Sequence, residues 1–173
     1  MSHHGFTADG GSDEWYTPEW IFKDVLGVSP GHLHDPFPRE GAGGLEAKWP
    51  ISAAPVWLNP PYSRIKDVVE RCAVHPNWVF IAWCRTETLW CQRLLGVSEA
   101  QLWLNKRVRF IDGRRMVKDK KTGLMVENPG HLKECGTPGA PSFLAARGNG
   151  VTYLEGGQVM CHGRLTRTKV NHA

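Results

Sequence analysis

Six consecutive apolar residues, Trp78-Val79-Phe80-Ile81-Ala82-Trp83, constrain the fold of this chain more than any other feature. A strand with one face in water alternates apolar and polar side chains. An unbroken apolar run of this length is the pattern of a strand covered on both faces, as in the middle of an α/β sheet. The flanking sequence agrees. Val56-Trp57-Leu58 is a second, shorter apolar run, and between the two runs Ile65, Val68, Val69 and Cys72 recur at helical spacing, so residues 64–73 read as an amphipathic helix. Strand, helix and strand in succession form a unit with parallel strands. In open sheets built this way, ligands bind in the crevice beyond the carboxyl ends of the strands.

The remaining punctuation extends this pattern. Thr17-Pro18 opens a helix expected over 18–26, with Thr as cap and Pro in the first turn, and Gly27 stops it. A short strand is expected over 33–35, and the Pro- and Gly-rich stretch 36–55 as loop. A helix over 87–95 ends at Gly96. Further strands are expected at Ala100–Leu104, 108–111 and 142–146. Segments 114–117 and 124–126 flank Lys120-Lys121-Thr122-Gly123 as one hairpin, and 151–154 and 158–161 flank Gly156-Gly157 as a second. The expectation is a mainly parallel α/β sheet with added β-hairpins. Residues 14–165 would form one domain, with a flexible segment 1–13 before it and a tail 166–173 after it.

Composition bounds the alternatives. A chain of 173 residues suits one compact domain, and 41% hydrophobic with 22% charged residues excludes a disordered or collagenous polymer. No apolar run reaches the roughly 18–20 residues of a spanning helix, and residues 1–15 lack a basic segment followed by an apolar one, so neither a membrane partner nor a signal peptide is expected. Five scattered cysteines do not resemble a disulfide framework. A cytoplasmic protein, monomer or homodimer, is the expectation.

The charge is unevenly placed. The net charge is +4, yet residues 106–133 alone hold nine Lys and Arg against three acids, an excess of six. A basic segment on a near-neutral body is the footprint of a phosphate-backbone binder, although a solvated Lys-rich hairpin has the same composition.

Asn59-Pro60-Pro61-Tyr62, directly after the 56–58 strand, carries the strongest chemical signal. Two prolines fix two φ angles and remove two backbone donors. The Asn59 side chain and the Pro60 carbonyl are then acceptors with no competing N–H beside them, and Tyr62 adds an aromatic face. A planar, amino-bearing base suits this set. Acceptors that stabilise charge developing on an aryl amine favour its pyramidal, nucleophilic form. A proline-rich strand end capped by Asn is the alternative.

The surrounding residues resemble a known family. Asp13-Glu14-Trp15-Tyr16-Thr17-Pro18, Asp35-Pro36-Phe37-Pro38, Gly44-Leu45-Glu46-Ala47-Lys48-Trp49 and Val56-Trp57-Leu58-Asn59-Pro60-Pro61-Tyr62-Ser63 look like the phage-encoded Dam-type DNA N6-adenine methyltransferases. Arg85-Thr86-Glu87-Thr88-Leu89-Trp90, Arg107-Val108-Arg109-Phe110 and Pro141-Ser142-Phe143-Leu144 continue the resemblance in order. It implies a class I, Rossmann-like S-adenosylmethionine-dependent methyltransferase sheet and transfer of a methyl group to adenine N6 in double-stranded DNA with the target base flipped out. By position, Asn59, Pro60, Pro61 and Tyr62 would be the catalytic set. Trp15, Thr17, Pro18, Asp35, Phe37 and Asn59 would hold the methyl donor. Ser63, Arg85, Arg107, Arg109, Arg114, Arg115, Lys120 and Lys121 would contact DNA. No metal is implied.

The chain also departs from the pattern. The usual Gly-rich donor loop is replaced by Asp35-Pro36-Phe37-Pro38, and too few residues separate Phe37 from Pro60 for two full βα units. The donor-binding half of the sheet should therefore be shortened. The acid that grips the donor ribose has only Glu40 and Glu46 as candidates, and Asp13 is a further candidate for the donor. Two other readings remain open: cytosine N4 methylation, and a non-catalytic DNA-binding protein on the same scaffold. Among weaker signals, His131 with Cys135 and Cys161 with His162 lack CxxC zinc spacing, and His32 with His34 and Asp35 is a thin metal or phosphoesterase motif. Cys84 and Cys91 are expected as buried thiols. Trp57, Trp83 and Trp103 are expected in the core, and Trp15 and Trp90 as pocket walls or packing.

Overall fold

A computed structural model describes residues 14–38, 44–135, 140–156 and 162–168. Segment 1–13 with Asp13, Glu40, Cys161, the 158–161 strand and most of the 166–173 tail lie outside the described residues.

The apolar runs become the centre of a five-stranded mixed sheet. Its strands are β2 (Val56–Leu58), β3 (Trp78–Trp83), β8 (Ser142–Arg147), β4 (Ala100–Leu104) and β9 (Gly163–Arg167), in that spatial order. β2 and β3 are parallel, with Trp57 opposite Val79. β8 runs antiparallel to both β3 and β4, and β9 antiparallel to β4. β2, β3 and β4 therefore point the same way. The 33–35 segment contributes a single parallel bridge, His34 to Val56, with the Trp57 N–H donating to the His34 carbonyl at 2.8 Å.

Both sheet faces are covered. Alternate residues point to opposite faces of a strand, and the burial divides accordingly. Trp57, Val79, Ile81, Leu102 and Leu144 pack with Ile21, Val25, Val151 and Leu154 on one side. Val56, Leu58, Trp78, Phe80 and Phe143 pack with Val68, Val69, Cys72 and Leu94 on the other. The second side is roofed by α1 (Ile65–Val74) and α2 (Leu89–Val97). The first is roofed by a wide helical turn, Ile21–Val25, and by α3 (Gly150–Glu155). Each fully buried large side chain here stabilises the fold by about 1.5–3 kcal/mol.

Four expectations are corrected. The sheet is mixed rather than mainly parallel, because a strand buried on both faces reads the same in either direction. The 18–26 helix is a five-residue wide turn, in which the Leu26 N–H donates to the Ile21 carbonyl at 3.0 Å. Residues 151–154 are helical, because Val151 and Leu154 need the same face and a three-residue spacing supplies it in a helix. The 108–111 strand shrinks to β5 (Ile111–Asp112), which pairs antiparallel with β1 (Trp15–Tyr16) and not with the main sheet.

The first hairpin forms as expected, shifted slightly: β6 (Met116–Lys118) pairs with β7 (Met125–Glu127). Its tip is closed by Asp119, whose carboxylate accepts the N–H groups of Lys121 and Thr122 at 3.0 and 2.7 Å, and Gly123 takes a positive φ of 72° there. β9 extends to Arg167, into the segment read as tail. Among the described residues, no helix is long and apolar enough to cross a membrane.

Candidate functional site

The carboxyl ends of β2 and β3, and the end of the 33–35 segment, lie along one edge of the sheet. Sequence dictates what they carry: Asn59 follows β2, Asp35 follows the bridge at His34, and Cys84-Arg85 follow β3. Two hollows open there. The larger is a cleft of about 390 Å³ whose wall includes Trp15, Thr17, Asp35, Phe37, Trp57 and Asn59. That volume falls in the range of small-molecule sites. The smaller is a slot of about 10 Å³ between Trp15, Asn59, Pro60, Pro61, Tyr62, Trp83 and Phe110. Asn59 and Trp15 belong to both, so the two hollows adjoin at these residues.

Asn59 is oriented by the fold. Its Nδ2 donates to the Trp15 carbonyl at 2.7 Å, across 44 positions of sequence. The nitrogen end of the amide is thereby engaged, and the oxygen end can only accept. Beyond it the chain turns at once. The Arg64 N–H donates to the Pro61 carbonyl at 3.0 Å and closes a single 3₁₀ turn, Tyr62–Arg64, ahead of α1. That turn brings the Tyr62 ring back to the end of β3. The Trp83 N–H donates to the Tyr62 hydroxyl at 2.7 Å. The Tyr62 and Trp83 rings lie 4.8 Å apart, and Trp90 meets Tyr62 edge-on at 6.0 Å. Burial pushes the Tyr62 phenol well above its ordinary pKa against the opposing pull of the Trp83 N–H, so it stays neutral.

In the cleft, two polar groups stand out. Asp35 accepts the Phe37 N–H at 2.8 Å, which holds the turn at 35–37. Burial raises its pKa from 3.8 to about 6, opposed by that N–H and by His34. Thr17 is 8% exposed, and its Oγ1 has no hydrogen-bond partner among the described residues. A buried hydroxyl left this way costs about 1–3 kcal/mol, and a ligand that pairs with it recovers that cost. The remaining wall is largely apolar, with Phe22 against Trp57 at 4.8 Å.

The structure thus brings together Trp15, Thr17, Asp35, Phe37, Asn59, Pro60, Pro61 and Tyr62, and it buries Pro18 beside Thr17. Ser63 is exposed in the turn that follows. Arg85 is ion-paired with Glu87 across an exposed turn. Arg107, Arg109 and Arg115 are exposed, and Lys120 and Lys121 lie at the hairpin tip. Arg114 instead pairs with Asp112. Glu46 is paired at the surface with Arg64 and does not line the cleft.

Glu19, Tyr16 and Phe22 line the cleft and were not anticipated. Adjacency to Thr17-Pro18 is the signal that sequence carries for them. Trp57 is core as expected, at 1% exposure, yet also forms part of the cleft wall. Cys91 is buried, Cys84 half-buried, and both are thiols. Among the described residues, no group of three or more His, Cys, Asp or Glu could hold a metal. No family model matches the chain, and no curated protein and no solved structure matches it either.

Proposed function

We propose that this protein is an S-adenosylmethionine-dependent DNA methyltransferase acting on the exocyclic amine of adenine. One observation carries the reading: a cleft of small-molecule size and the Asn59–Tyr62 slot adjoin at the carboxyl edge of the sheet, with Asn59 and Trp15 common to both. A two-substrate transfer needs that adjacency. The sheet order supports it, since parallel β2 and β3 with β8 inserted antiparallel are compatible with a class I methyltransferase sheet shortened in its donor half.

The cleft residues suit the donor. When bound, S-adenosylmethionine supplies an electrophilic methyl on a cationic sulfonium. The Asp35 carboxylate favours positive charge in its cleft, the Thr17 hydroxyl offers a hydrogen bond, and the apolar wall at Phe22, Phe37 and Trp57 suits the rest of the ligand. Asn59 Oδ1 and the Pro60 carbonyl would accept the two N–H protons of the target amine and stabilise the charge that builds on nitrogen. Tyr62 and Trp83 form an aromatic wall for the base. A base inside a duplex cannot reach this slot, so it must be flipped out. The exposed Arg107, Arg109, Arg115, Lys120 and Lys121 would meet phosphates.

The test is direct. The protein is incubated with S-adenosylmethionine and mixed-sequence duplex DNA, which is then digested to nucleosides for mass spectrometry. N6-methyladenine is expected. N4-methylcytosine would overturn the base assignment and keep the mechanism, and no methylation would overturn the reading. Asn59→Ala should lose the chemical step while DNA binding stays within about threefold, because Asn59 touches the reacting amine and no phosphate. Equal losses in both would contradict its role.

A further inference from the structure

We propose that Arg114 is a positioning residue for Asn59 and not a phosphate ligand, an inference that rests on the methyltransferase reading above. Arg114 belongs by sequence to the basic segment, but its geometry separates it from its neighbours. Its Nε donates to Asp112 Oδ1 at 2.8 Å and its Nη2 to Asp112 Oδ2 at 2.6 Å. Its backbone N–H donates to the same carboxylate at 3.0 Å. Asp112 is 6% exposed. Burial alone would raise the Asp112 pKa, but Arg114 outweighs it and holds the carboxyl below its usual range. A two-pronged pair of this kind fixes the plane of the guanidinium. That plane lies over the Trp15 ring, with Cζ 5.1 Å from its centre.

Trp15 is the residue that orients Asn59. Its carbonyl receives Asn59 Nδ2, and a carbonyl only accepts, so it decides which end of the amide faces the slot. Reversing the amide would present N–H donors to the N–H groups of the target amine. The strand bearing Trp15 is held tightly. Trp15 pairs with Asp112 in the β1–β5 ladder, and the Gly113 N–H donates to the Glu14 carbonyl at 2.8 Å. Gly113 lies so close to the Tyr16 ring that a Cβ there would stand 2.5 Å from it. Asp112, Arg114, Trp15 and Asn59 thus form one chain of contacts between the root of the basic hairpin and the reacting groups. The hairpin begins two residues after Arg114, so Arg114 keeps Trp15 in place while DNA loads the hairpin.

The two roles for Arg114 predict opposite results. Arg114→Gln, Arg114→Lys and Asp112→Asn are compared with wild type in turnover at saturating DNA and donor, in KM for DNA, and in the dependence of DNA affinity on salt. Positioning predicts that all three lower kcat by roughly tenfold to a hundredfold, as small misplacements of reacting groups do, with KM for DNA within twofold and the salt slope unchanged. Lys keeps the charge but not the fork, so it falls with Gln. Lys120→Gln serves as the phosphate control and lowers the slope by about one. The proposal is overturned if Arg114→Gln lowers the slope by about one with kcat intact, or if Asp112→Asn, by releasing Arg114, tightens DNA binding. If Arg114→Gln does not fold, Arg114→Lys and Asp112→Asn decide between the two roles. A wild-type protein without methyl transfer would instead defeat the parent reading, and the inference with it.

Discussion

Replacing Asp35 by Asn separates the energetics of the cleft from its chemistry. The amide keeps the shape and still accepts the Phe37 N–H, but it carries no charge. Burial moves the Asp35 pKa from 3.8 to about 6. At about 1.4 kcal/mol per pH unit, the ionised carboxylate is destabilised in the fold by about 3 kcal/mol. The sign follows from proton uptake. Between pH 4 and pH 6 the native state holds a proton that the unfolded state has released, so wild-type stability falls as pH rises through this window and levels off above it. Asp35→Asn should match wild type at pH 4 and exceed it by about 1–3 kcal/mol at pH 8 in urea melts. Donor binding should move the other way. A cationic ligand requires the carboxylate, so wild-type affinity for S-adenosylmethionine should weaken about tenfold per pH unit below 6 and stay flat above it. In Asp35→Asn, calorimetry should find weak binding at every pH. A variant no more stable than wild type at pH 8, with undiminished donor affinity, would refute both halves of the reasoning.

Two further outcomes are expected. Lys120→Gln with Lys121→Gln should lower the slope of log affinity against log salt by about two, since each phosphate contact contributes about 0.9; fluorescence anisotropy across a salt series reads this, and an unchanged slope would remove the hairpin tip from the DNA contact. Gly150→Ala should destabilise the fold by about 3 kcal/mol in urea melts, because its Cβ would stand 2.2 Å from the Trp78 carbonyl oxygen, a backbone atom held in the central sheet; a cost under about 1 kcal/mol would mean α3 docks less tightly than its contacts indicate.

What was legible in the sequence followed period and punctuation. Trp78–Trp83 announced a doubly covered strand, and Ile65, Val68, Val69 and Cys72 announced the face of α1 that meets it. Strand direction was not legible, because Ser142–Arg147 is buried on both faces in either orientation. The pairing of Ile111–Asp112 with Trp15–Tyr16 was equally hidden: two residues carry no period, and their partners lie almost a hundred positions away. The Asn-Pro-Pro-Tyr set was visible because proline makes a local constraint. Its orientation was not, since the carbonyl that fixes Asn59 belongs to Trp15 and a carbonyl has no signature in sequence. The same reason hid the separation of Arg114 from its basic neighbours, which only the Asp112 pair and the Trp15 ring reveal.

The slot itself argues for motion. Its volume of about 10 Å³ accommodates a single water, so on the proposed reading a base would enter only after a wall moves. Pro60 and Pro61 are fixed by their rings. Tyr62 is held by the Trp83 N–H and by two aromatic contacts, and Phe110 is 3% exposed within the core. The half-buried Trp15 indole borders the larger cleft and is the wall with room to yield: a tilt of its outer edge beneath Arg114, not a departure from it, opens the slot while Arg114 still fixes the strand whose carbonyl meets Asn59. Trp15→Phe removes part of that indole and keeps the strand. Once sequencing of the product has located the methylated position, a duplex carrying 2-aminopurine there reads the consequence. Base flipping relieves stacking on the probe, so the variant should give a larger rise in fluorescence on binding than wild type, at equal DNA affinity. An equal rise would place the opening at Phe110 and the end of β5, and Phe110→Ala would then give the larger signal.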